Sequence, residues 1–133
     1  MKRMFLLITV VLALFVAGCG SQVTVVLPLI QSPEITAARF SQDVVNRFVD
    51  GAIDYYAPDS DLDTVTILVT DDRGFTITRS VTDLAAFRGV VQGTITLSVD
   101  YLTYLPGTYT ITVYLTDRAG LFSNSVYHTF RVP

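Results

Sequence analysis

YLPGTYTITVYLTD, residues 104–117, alternates strictly from its glycine onward: Tyr109, Ile111, Val113 and Leu115 fall on one side, Thr108, Thr110, Thr112 and Tyr114 on the other. A period of two sets one row against a core and the other in water, so the stretch reads as a half-buried strand. The same pattern recurs on either side of it. In TVTILVTDDRGFTIT, residues 64–78, Val65, Ile67 and Val69 share a face, Asp71 to Gly74 forms a hairpin turn, and Phe75 and Ile77 resume the apolar phase. QGTITLSVD alternates through Ile95, Leu97 and Val99, and SVYHTFRV through Val126, Phe130 and Val132. Half-buried strands joined by short turns are antiparallel.

Seven strands are predicted in all, over 35–40, 51–57, 64–70, 75–80, 94–99, 108–116 and 125–132. Between the fourth and fifth, TDLAAFRG offers Thr82 or Asp83 as a cap for one helical turn. Seven short strands in about 100 residues is the pattern of an immunoglobulin-like sandwich. The fold class is therefore all-β, a single antiparallel sandwich over residues 33–133.

YLPGTYTITV also resembles the Leu-Pro-Gly-x-Tyr stretch that opens the sixth strand of fibronectin type III, PKD-like and bacterial immunoglobulin-like domains. That resemblance implies that Tyr109 is a corner tyrosine whose hydroxyl bonds back to the backbone just upstream. APDSDLDTVTILVTD and LTDRAGLFSNS are similar to the loops before the third and after the sixth strand of bacterial members. The chain departs from antibody domains in having one cysteine and no tryptophan.

That cysteine, Cys19, closes an N-terminal pattern of its own. Lys2 and Arg3 precede an uncharged, apolar run from Met4 to Ala17, the charged and apolar regions of a signal peptide. The run is shorter than the roughly 18 to 20 residues a membrane span needs. Val16-Ala17-Gly18-Cys19 resembles the lipobox of bacterial lipoproteins, which implies removal of residues 1–18. It also implies thioether-linked diacylglycerol on Cys19, with acyl chains such as palmitate. Two or more acyl chains hold a protein on a membrane where one does so marginally. Residues 19–32 read as a lipid-anchored tether, uncharged from Gly20 to Ser32 and able to reach about 40 Å at about 3.3 Å per residue. Its Val23 to Ile30 core is apolar enough to dock as a further strand or lie on the lipid. Gly20 is not the aspartate that resembles an inner-membrane retention signal, so an envelope location tilts toward the outer membrane in a source that has two.

The full 133-residue chain carries nine basic and twelve acidic groups. After cleavage seven arginines remain, a net charge near −5, which argues against nucleic acid and against electrostatic adhesion to anionic lipid. With a single cysteine no intrachain disulfide forms.

Three sets of residues are candidates for chemistry. Asp59, Asp61 and Asp63 alternate along one loop, and Asp117 is expected at the same end, a set of oxygens suited to calcium. An EF-hand is excluded, because Thr64 and Thr70 stand where its glycine and bidentate glutamate are required. The competing reading is aspartates that bond their own backbone in turns. His128, the sole histidine, shares a side with Val126 and Phe130, and no GxSxG, HExxH or CxxC pattern supplies it with partners. Glu34 is the sole glutamate, and nothing singles out a carboxylate pair for glycoside chemistry. Finally Thr66, Thr70, Thr110, Thr112, Tyr114, Tyr127 and Arg131 are expected on one outward face, able to meet a protein or a glycan, or simply to suit solvent-facing strands.

The sequence thus predicts a lipid-anchored envelope lipoprotein whose domain is a non-catalytic binding or structural module, with no cofactor. A calcium-dependent adhesion module is the alternative, and an envelope enzyme comes third.

Overall fold

A computed structural model describes residues 29–133. The leader, Cys19 and the tether as far as Pro28 lie outside the described residues. Seven strands follow in order: β1 Glu34–Asp43, β2 Phe48–Tyr56, β3 Leu62–Asp71, β4 Thr76–Asp83, β5 Gln92–Asp100, β6 Gly107–Asp117 and β7 Val126–Val132. They form two antiparallel sheets, β1-β2-β5 and β4-β3-β6-β7. Each expected strand is present, and the helical turn is a 3-10 turn, Ala85–Phe87, whose first N–H donates to Asp83 Oδ1 at 2.6 Å.

Inward rows from both sheets make one core: Val49 and Ile53 of β2, Ile95 and Val99 of β5, Val65 and Val69 of β3, and Ile111, Val113 and Leu115 of β6. The alternation of residues 107–117 carries through to Asp117, which is buried where the core meets the loops. Tyr109 behaves as its resemblance implied, its hydroxyl donating to the Leu105 carbonyl at 2.8 Å. β2 begins three residues earlier than its sequence pattern indicates. The Asp43 carboxylate accepts the N–H groups of Val45 and Asn46, and Arg47 adopts φ 61°, so the chain reverses tightly enough to pair Asp43 with Phe48.

One expectation is corrected. Phe75 and Ile77 do not rejoin the core; they are 64% and 48% exposed. The β3–β4 register runs Val69 to Thr78 and then Thr70 to Thr76, so one extra residue, Ile77, is accommodated on β4. A one-residue bulge exchanges the faces of everything beyond it. From Thr78 onward the inward row is Thr78, Ser80 and Thr82, opposite the core-facing Val69, Ile67 and Val65, while Arg79 and Val81 point outward with Leu68 and Thr66.

That inversion is tolerable because four strands lie over three. β4 and β5 are the free edges on the same side of the sandwich, and a cleft of about 420 Å³ opens between them. Ser80 and Thr82 of the inner row line this cleft rather than a closed core, so their hydroxyls sit there without desolvation, and Thr78 shares a 2.6 Å bond with the Tyr104 hydroxyl.

Candidate binding face

The outer face of the four-stranded sheet is built rank by rank from the register. One rank runs Val81, Thr66, Tyr114; the next Arg79, Leu68, Thr112, Tyr127; a third brings Thr70, Thr110 and Thr129 together beyond the bulge. Arg131 stands opposite Thr108 at the far corner. Phe122, bridged to β6 through Thr116, sets its ring edge-on to Tyr114 with centroids 5.7 Å apart.

Of the expected face residues, Tyr127 and Arg131 are exposed, Tyr127 at 67%, and Thr110, Thr112 and Tyr114 are half-buried. Thr66 is corrected: it is 3% exposed and offers nothing to a partner. It lies on a central strand between Tyr114 and Val81, whose larger side chains flank it on both sides. Sequence reasoning missed Leu68, Ile77, Arg79, Val81 and Phe122. A signal was available, since Arg79 shares its phase with Ile77 and Val81, and an inward arginine would be buried without an ion partner.

The face is apolar where an isolated domain has no use for it. Ile77, Val81 and Phe122 are 48%, 52% and 64% exposed. Arg79 and Arg131 of this face have no carboxylate within ion-pair distance among the described residues, as Arg47 and Arg118 in the loops have none, whereas Arg39, Arg73 and Arg88 are paired. The opposite outer face, on β1-β2-β5, carries its own charge cluster. Arg39 holds Asp54 through two bonds of 2.7 and 3.1 Å, and Thr94 adds a third at 2.6 Å. These bonds, from Arg39 first and Thr94 second, lower the Asp54 carboxyl to about 2.

The aspartate end is less coherent than the spacing suggested. Asp63 is drawn to Arg88 at 3.2 Å, and Asp59 accepts the backbone N–H of Gln31 at 2.8 Å. Asp117 accepts the Leu121 N–H through Oδ1 at 2.8 Å, while its buried Oδ2 has no hydrogen-bond partner within the protein. Asp61 is pushed up by burial first, then by the charges of Asp117 and Asp59. The four aspartates therefore do not share one centre. Among the described residues no group of three acidic, histidine or cysteine side chains is placed to hold a metal ion.

His128 points inward at the β1–β7 side, stacked on Phe40 with centroids 4.9 Å apart and planes 14° apart. Glu34 is exposed at the start of β1.

No family model matches the chain, and no curated protein matches it either. Among solved structures, a family 76 glycoside hydrolase from a bovine Bacteroides thetaiotaomicron strain is similar over 77% of this chain, at 15% identity and a TM-score of 0.49. The likeness spans 20% of that chain's length.

Proposed function

We propose that this chain is a lipid-anchored lipoprotein of the bacterial envelope whose sandwich domain serves as a non-catalytic binding module. The observation that carries the reading is the phase of β4. Hydroxyls occupy its inner row, Val81 stands on its outer row and Ile77 is left exposed at the bulge, although burying a valine or isoleucine side chain stabilises a fold by about 1.5–3 kcal/mol. Residues that do not serve the fold there are available to serve recognition. The lipobox-like leader supports anchoring. Among the described residues no helix is long and apolar enough to cross a membrane.

The described chain enters β1 at the aspartate-loop end: Gln31 bonds Asp59, and the Asn124 side chain brackets the Ile35 backbone. Under this reading lipid attaches at that end, and residues 44–47, 72–75 and 101–106 project from the other. Two experiments test the proposal. Labelling with an alkynyl fatty acid should mark the wild-type chain and not Cys19→Ser. On a native gel of mildly solubilised envelopes the wild-type chain should run in an assembly larger than the mature monomer, and Ile77→Thr/Val81→Thr should run alone. Migration of both proteins at monomer size would overturn the binding role.

A second reading, the calcium-dependent adhesion module, draws on the unpartnered Asp117 Oδ2 beside Asp61. It requires a melting shift with calcium over chelator that is lost in Asp61→Asn, about 2.7 kcal/mol of stabilisation at a hundredfold excess over Kd. Equal melting temperatures in calcium and in chelator remove it.

A further inference from the structure

Resting on the binding-module reading, we propose that the outer face of β4-β3-β6-β7 docks a protein whose contact patch is apolar at its centre and carries carboxylates toward Arg79 and Arg131.

Charge selects this occupant. The whole chain is acidic, with a formal net charge of −3, yet the charged side chains along the strands of this face are Arg79 on one edge, Arg131 on the other and a single carboxylate, Asp83, at the end of β4. Asp83, at the rim where β4 ends, is engaged by Arg88 at 3.3 Å. Two arginines without carboxylate partners on one face leave that face locally positive in an acidic chain, and guanidinium groups suit planar, bidentate capture of carboxylates.

The side-chain types then separate protein from the other two surfaces. Tyrosine alone would suit a sugar ring, but Ile77, Leu68 and Val81 offer a glycan little. A bilayer would take the aliphatic and aromatic groups, but it would also desolvate the threonine block of Thr70, Thr110, Thr112 and Thr129 that occupies the third rank and part of the second. A protein patch satisfies both parts. Phenylalanine, tyrosine and arginine are the side chains enriched at protein interfaces, and backbone or side-chain groups across the contact pair with threonine hydroxyls.

Strand spacing fixes the scale. Four strands at about 4.8 Å and about 25 Å of strand length give roughly 500 Å² on this side, the size class of a transient contact. Covalent trapping is therefore the suitable assay.

The experiment uses the full chain in its native envelope with a benzophenone side chain introduced at Tyr127, at Val81, and at Ser41 or Thr96 on the opposite outer face. Illumination should give a protein adduct from positions 127 and 81 and none from 41 or 96. The adduct should fall at least tenfold in Arg79→Glu/Arg131→Glu, whose melting temperature stays within a degree of the parent, and the cross-linked partner peptide should contain aspartate or glutamate. Equal yields from both faces, an adduct with lipid or with a second copy of this chain, or a yield indifferent to charge reversal each overturn the assignment while leaving a binding module standing. Absence of adducts from every position overturns the module reading with it.

Discussion

The two lateral sides of the sandwich are closed by different means. On the β1–β7 side, Asn124 donates to and accepts from the Ile35 backbone at 3.0 and 2.8 Å, in place of a ladder rung. Gln42 reaches the Tyr101 hydroxyl and the Arg131 carbonyl at 2.9 and 2.7 Å, and Phe40 stacks on His128 between those two points. On the β4–β5 side no side-chain hydrogen bond joins the two edge strands among the described residues: they stand apart across the cleft, which Ser80 and Thr82 of β4 and Ile95 and Leu97 of β5 line, and Thr78 bonds instead to Tyr104 in the loop after β5. Free strand edges invite pairing with other chains unless they are blunted. The difference teaches that cross-sheet anchoring is concentrated along one side, which leaves β4 free to carry a surface chosen for something other than packing.

The contrast breaks first at Asn124. Asn124→Ala leaves the Ile35 N–H and C=O without partners on a part-buried edge and should lower stability by about 2 kcal/mol in urea unfolding. A loss below about 0.5 kcal/mol would show that the closed side needs no bracket. Tyr109→Phe removes the corner bond at the opposite end, independent of either side, and is expected to cost about 1 kcal/mol. On the open side Ser80→Ala/Thr82→Val should stay within about 0.5 kcal/mol of the parent, the range for surface substitutions remote from packing; a large loss there would make the two sides equivalent.

The smallest effect at neutral pH links both sides. Arg39 of β1, Asp54 of β2 and Thr94 of β5 span the three-stranded sheet. The folded carboxyl of Asp54 lies near 2, below its usual 3.8, so the folded state binds this proton later than the unfolded chain. Its contribution is fully present above about pH 4 and is lost as pH falls through about 2. Asp54→Asn should therefore flatten the acid limb of a stability–pH profile measured between pH 5 and 2. An unchanged limb would show that the network is too solvated to matter.

Much of the architecture was legible because it follows from period two. Residues 107–117 alternate without interruption, and all five inward positions from Tyr109 to Asp117 are buried. β4 was misread because a bulge is a change of phase with no marker in apolar spacing, and Phe75 and Ile77 in sequence look like a continuation of Val69. The outer face was half legible. Thr110, Thr112, Tyr114, Tyr127 and Arg131 follow from parity alone, whereas the burial of Thr66 depends on which strands flank it and on the size of Tyr114 and Val81. The aspartates show the limit of spacing. Asp59, Asp61 and Asp63 alternate in sequence, but only the fold brings Arg88 to Asp63 and sets Asp117 beside Asp61.

The central claim is that the outward apolar residues of β4 serve recognition and not folding. Urea unfolding of Ile77→Thr/Val81→Thr against the parent, at one pH and with equal denaturant slopes, tests it most directly. The account expects a change within about 0.5 kcal/mol, since threonine keeps the β-branched shape and both sites are half open to water. A loss of 2 kcal/mol or more would contradict it, showing that these side chains hold the sheet together and that the face is part of the fold's own packing.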